Sequence, residues 1–85
     1  MEIYYLPRFA RGYKKLPEEV QTKAEVAERL FRADPFDPRL KTHKLFGHLA
    51  GFWSFSVSFS HRIIFEFVDE HTVRFYRIGD HDIYE

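Results

Sequence analysis

The sequence predicts one α+β domain over residues 1–85: an N-terminal strand, a helical region, a three-stranded antiparallel meander and a short polar tail. Two observations carry this prediction. The apolar period is helical between Pro17 and Asp34 and switches to two from Phe52 onward. Aromatic residues make up 19% of the chain, ten of them Phe. A domain this short buries only about 60 to 65% of the surface its unfolded chain exposes, so bulky rings must supply a dense core.

Residues 2–6 (Glu-Ile-Tyr-Tyr-Leu) are β-prone and stopped by Pro7, which reads as the first strand. Residues 9–16 read as a weak helical turn. The strong helix starts at Pro17, where a missing N–H costs nothing, and Glu18 and Glu19 favour the positive end of the helix dipole. Val20, Ala24, Ala27 and Phe31, with Leu30 beside them, make one apolar stripe. Asp34-Pro35 and Asp37-Pro38 end it.

Residues 39–51 are too basic and too broken by Gly for a helix and read as a linker. Beyond them Trp53, Phe55, Val57 and Phe59 alternate with Ser54, Ser56 and Ser58, which predicts a half-buried strand with a hydroxyl-bearing outer face. Ser60-His61 turns the chain into a strand over 62–68, and Asp69-Glu70-His71 turns it into another over 72–78. Gly79 ends the last strand, and residues 80–85 form the tail. No repeat or low-complexity segment interrupts this order.

Net charge is zero, with 13 Lys plus Arg against 13 Asp plus Glu, which argues against holding nucleic acid by bulk electrostatics. The halves differ, however: residues 1–48 carry ten basic and seven acidic residues, and 49–85 carry three and six. Any basic face would therefore come mostly from the helical half. Without cysteine there is no disulfide framework or Cys-based zinc site, and a reducing compartment, the cytoplasm, is expected. No signal-peptide pattern opens the chain and no run of about 18 apolar residues occurs, so no membrane partner is expected.

Five histidines stand in this short chain, and imidazole suits proton transfer near neutral pH. His71 lies in an acidic turn and reads as solvated, His48 in the linker as a bystander, and His61 as a turn residue. His81 differs, because it follows the Gly79 break where side chains leave the sheet. Its neighbours Asp80 and Asp82 favour the imidazolium, so it reads either as a general acid or as part of a polar surface. Consecutive residues of an extended chain point to opposite sides, so Asp80, His81 and Asp82 do not converge on a metal without a turn. Arg62 opens an otherwise apolar strand and needs either an anion or an ion pair with Glu66.

Four blocks in order, Lys41-Thr-His-Lys-Leu-Phe-Gly, Gly51-Phe-Trp-Ser-Phe-Ser-Val, His61-Arg-Ile-Ile-Phe-Glu-Phe and Tyr76-Arg-Ile-Gly-Asp-His-Asp-Ile-Tyr, resemble the motif blocks of the RelE/ParE superfamily of bacterial toxins. The resemblance covers nearly the whole chain. It implies a four-stranded antiparallel sheet with the N-terminal strand and two helices packed on one face. It also implies a ribosome-dependent endoribonuclease that cuts mRNA in the A site without cofactor or metal, silenced by a cognate antitoxin in a hetero-oligomer.

Residue by residue, the resemblance makes His81 the catalytic histidine, His43 the linker histidine of the YafQ-like subgroup, Arg62 the phosphate-contacting arginine and Tyr84 the C-terminal aromatic. In that scheme His81 is the general acid to the leaving oxygen, Arg62 holds the phosphate, His43 is base or second phosphate contact, and Tyr84 stacks on or orients a nucleobase. Arg8, Arg11, Lys14, Lys15, Arg39, Lys41 and Lys44 are candidates for ribosomal RNA phosphates, or else a solvated face. Ser54, Ser56 and Ser60 depart from the pattern, standing where relatives carry charged or titratable groups. Three other readings stand beside the nuclease: the gyrase-inhibiting ParE branch, a toxin-like module acting with its antitoxin as co-repressor, and an unrelated domain that mimics the pattern.

Overall fold

Pro7 ends one element and opens the next. In the computed structural model, which describes residues 1–84, strand β1 (Glu2–Tyr5) is followed directly by helix α1 (Pro7–Lys14). The weak turn expected over 9–16 is thus a true helix that starts earlier. Pro7 occupies its first turn, Arg11 and Lys14 sit in its last turn where cations favour the dipole, and Phe9 is buried beneath it. Helix α2 (Glu18–Ala33) follows Pro17 as predicted and buries Ala24, Ala27 and Phe31.

The basic linker contains a two-residue strand, β2 (His43–Lys44), between short 3-10 turns at Pro38–Leu40 and Gly47–Leu49. The meander is β3 (Trp53–Ser56), β4 (Arg62–Asp69) and β5 (Thr72–Gly79), and a last 3-10 turn spans His81–Tyr84. Glu85, the end of the expected polar tail, lies outside the described residues. Strand β3 stops three residues short of the expected Phe59. Ser56 already pairs with Arg62, so the chain must reverse in between, and the N–H groups of Val57 and Ser58 both donate to the His61 carbonyl.

The sheet is mixed and five-stranded, in the order β1-β5-β4-β3-β2, which corrects the expected four antiparallel strands. The fifth strand is the short β2, paired with Trp53 and Ser54. The parallel pair arises because β1 adds to the open edge of β5, with Glu2 opposite Thr72 and Tyr5 opposite Phe75. Such pairing needs a crossover connection, and the two helices lie within it.

One face of the sheet packs on the helices. Phe31 projects from α2 into its middle, stacked on Phe55 at 4.8 Å and edge-on to Phe65 at 4.9 Å and Phe75 at 5.5 Å. The opposite face is not the open hydroxyl surface the serine alternation implies. Ser54 is fully buried there with Ile64 and Ile83, because the His81–Tyr84 turn folds back across it. Among the described residues no helix is long and apolar enough to cross a membrane.

Candidate active site

Residues paired across a sheet send their side chains to the same face. His43 pairs with Ser54, Ser54 with Ile64 and Ile64 with Arg77, forming one row on the face away from the helices. Two residues along, Ser56, Arg62 and Gly79 form a second row. A bulge between Ile64 and Phe65 leaves Tyr76 unpaired, so Arg77 and Ile78 resume the alternation one residue late. Tyr76 packs against Phe52 with ring centroids 4.9 Å apart and the planes tilted by 32°, and it meets the Arg8 guanidinium 5.8 Å above its ring.

Three hydrogen bonds pin the C-terminal turn to this face. The Ser54 and Tyr84 hydroxyls are 2.7 Å apart, Arg77 Nη1 donates to the Ile83 carbonyl at 3.1 Å, and His48 Nε2 donates to the Tyr84 carbonyl at 2.9 Å. Gly79 makes room for the fold-back, since a Cβ there would lie 2.5 Å from Ile83 Cγ2. Asp80 Oδ1 accepts from the Asp82 N–H at 3.1 Å, so this carboxylate shapes the turn. His81 itself is exposed on it.

His43 is oriented by backbone. Its Nδ1 lies 2.9 Å from the Lys41 carbonyl, and a carbonyl only accepts, so Nδ1 carries the proton and the neutral ring has its lone pair on Nε2. Lys41 aims that carbonyl from the left-handed region, with φ of 54°, an uncommon conformation for a residue bearing a Cβ. The ring is exposed, and among the described residues its Nε2 has no partner.

Arg62 does not pair with Glu66, whose carboxylate is held instead by Arg74 at 2.8 Å. Its Nη1 donates to the carbonyls of Ser58 at 2.7 Å, His61 at 3.0 Å and Phe59 at 3.4 Å. Among the described residues Nη2 and Nε have no partner and stay available to an anion. Arg62 lines a cleft of about 250 Å³ with Arg39, Lys41, Ser56, Ser58 and Phe59. Arg39 is forked onto Asp37, with Nη2 at 2.8 Å and Nε at 3.1 Å, and these bonds pull the Asp37 carboxyl down to about 2.

The remaining candidate cations are dispersed. Lys44 lies 5.5 Å above the Trp53 ring. Lys14 borders a separate apolar groove between α1 and α2 with Phe9, Tyr13, Glu25 and Glu28, and Arg11 and Lys15 are exposed on or just after α1. No group of three acidic or histidine side chains that could hold a metal occurs among the described residues.

Neither the known protein families nor the curated proteins yield a match to this sequence. Solved structures do. YafQ from Escherichia coli superposes with a TM-score of 0.81 over 98% of this chain and 96% of that one, at 20% identity. A YoeB/ParE toxin from Agrobacterium tumefaciens gives 0.79 over 95% and 99%, at 19% identity. The chain has the fold of the YafQ and YoeB/ParE toxins. A chain of the Escherichia coli DinJ-YafQ toxin-antitoxin complex also matches, with a TM-score of 0.77 over 96% of this chain and 93% of that one, at 21% identity.

On this fold His43 lies in the row of Ser54, Arg62 in the next row, and His81 and Tyr84 on the C-terminal turn that the Ser54-Tyr84 bond anchors. Reading the sequence missed three members of the cluster. Ser54 looks like an outer-face hydroxyl until the tail is seen to cover it, and His48 looks like a linker bystander until its bond to the tail is seen. Arg77 carried a weak signal, being a cation in the last strand just ahead of Gly79.

Proposed function

We propose that this protein is the toxin of a type II toxin-antitoxin pair and that it cleaves mRNA in the ribosomal A site by acid-base chemistry carried by its own side chains. The observation that carries this reading is the outer sheet face, where His43 with its free Nε2, Arg62 with free guanidinium donors and a tethered Tyr84 share one surface. The solved structures of this fold include the DinJ-YafQ complex from Escherichia coli and the YoeB-YefM complex from Staphylococcus aureus, which supports a cognate antitoxin as partner in a hetero-oligomer. Ribosome-bound mRNA as substrate places the work in the cytoplasm.

The reaction requires a 2′-hydroxyl to attack the adjacent phosphorus and expel the 5′-oxygen. His43 Nε2 takes the proton from the 2′-oxygen, Arg62 stabilises the added negative charge on the phosphate, and His81 protonates the leaving oxygen. The Tyr84 hydroxyl is held by Ser54, so this residue contributes its ring, oriented toward a nucleobase. Ser54 replaces a charged group of the family pattern and acts as the anchor of the tail.

The test is cleavage of mRNA on programmed ribosomes, with fragments read by primer extension. Wild type should cut. His81→Gln and His43→Gln should each lose about 100-fold or more while their circular dichroism stays native. Full activity in His81→Gln would remove it as the acid. Absence of cleavage by wild type, together with inhibition of gyrase supercoiling, would overturn the nuclease reading in favour of the gyrase-directed one.

A further inference from the structure

The Phe59 ring is 99% exposed at the tip of the β3-β4 turn, which is a costly place for a large apolar side chain. A mobile loop would let it fold back, but this turn is tied down. Arg62 Nη1 donates to three of its carbonyls, the His61 N–H donates to Ser58 Oγ at 3.2 Å, and His61 Nδ1 lies 3.1 Å from Ser60 Oγ. The ring is therefore presented on a stiff support, at the mouth of the cleft that also contains Arg39, Lys41 and Arg62.

The charge of that cleft is definite. The Asp37 carboxylate neutralises Arg39, whereas Lys41 and Arg62 have no ion pair among the described residues. No carboxylate is among the described residues that line the cleft, and apart from Phe59 its one apolar side chain is Val57. Within the cleft a hydrophobic partner segment would find only Phe59 and Val57, the apolar groove that adjoins it at Arg39, Ser56 and Val57 being lined from α2 by Val26, Ala27 and Leu30. A ligand that joins an anion to a flat π-face would use all of the surface, and a nucleotide of single-stranded RNA is such a ligand.

We propose that Phe59 and Lys41 form a nucleotide subsite beside the catalytic row, with one base stacked on Phe59 and its phosphate held by Lys41, while Arg62, between the two places, keeps the scissile phosphate. This rests on the RNA-directed reading above and adds to it a binding residue that the family resemblance did not single out. Ser56, which lines the cleft, is two residues from Ser54 in the catalytic row, about 7 Å along the strand. One RNA strand can therefore cross both places.

The test uses a short fluorescein-labelled 2′-O-methyl RNA, which has no attacking hydroxyl and so reports binding alone, titrated at low salt by fluorescence anisotropy. Phe59→Ala and Phe59→Leu should each weaken binding roughly 5- to 100-fold, while Phe59→Trp should bind at least as well as wild type. Lys41→Ala should reduce the slope of log affinity against log salt by about 0.7. If Leu substitutes fully for Phe and Ala does not, the ring serves apolar contact with a protein partner and the subsite is overturned. Equal binding by all variants, or no binding by wild type, also overturns it. Ribosomal cleavage separates the two readings. Cleavage without Phe59-dependent binding defeats the subsite alone, whereas Phe59-dependent binding without cleavage defeats the nuclease alone.

Discussion

A buried hydroxyl without a partner costs about 1 to 3 kcal/mol, and Ser54 meets that demand by bonding the Tyr84 hydroxyl. The pairing also fixes where the tail lies, so one small side chain settles both burial and placement. Asp37 acts in the same local way near the cleft: it accepts the Arg39 N–H at 2.9 Å and the Arg39 side chain through both oxygens. The side-chain bonds, and then the backbone bond, lower its pKa from the ordinary 3.8 to about 2. A carboxyl whose folded pKa is depressed adds stability above its unfolded pKa, and that contribution fades as pH falls through the folded value. Asp37→Asn should therefore melt below wild type at pH 7, and the gap should close as pH falls from about 4 to about 2. Thermal melts across that range check this; a gap unchanged at the acid end would show that the pair contributes nothing specific to the ionised state.

At the scale of elements, the C-terminal turn is the piece on which the site depends. Ile83 is buried against Gly79 so closely that a methyl group there would have to displace it, and a β-branched side chain has little rotamer freedom to yield. Gly79→Ala should lift the turn from the sheet, break the Ser54-Tyr84 bond and cost on the order of 10- to 100-fold in cleavage through misplacement of His81 and Tyr84. The fold should survive, because the helix-side core lies on the other face. Loss of native circular dichroism in this variant would show that the turn supports the sheet itself. The sequence made α2 and the three meander strands legible, because their periods are set by burial on one face. It showed α1 only as a weak turn that starts too late, since Pro7 reads as a stop as readily as a start, and it hid β2, since two residues carry no period. The covered state of Ser54 was hidden for a different reason: alternation says which side a residue faces, but not what later folds over that side.

The whole molecule shows where local pattern ends. Pairing of β1 with β5 joins the two ends of the chain, Glu2 to Thr72 and Tyr5 to Phe75, and no local spacing records which edge an N-terminal strand will choose. What makes that closure worthwhile is the aromatic centre it seals. Tyr5 and Phe9 both reach Phe75, at 5.6 Å and 5.4 Å, and Phe75 in turn meets Phe31 and Phe55. Phe31 thus joins α2 to all three meander strands with no exposed surface. Its truncation to Ala should cost about 3 to 5 kcal/mol, against a total of about 4 to 13 kcal/mol for a domain of this length. Urea denaturation of Phe31→Ala should show a midpoint lowered by roughly a quarter or more, with strands on both sides of the core unfolding together. A loss below about 1 kcal/mol would mean that the neighbouring rings close the gap, so that the stability of this small chain would rest on the sheet's own pairing and not on the ring that bridges helix and sheet.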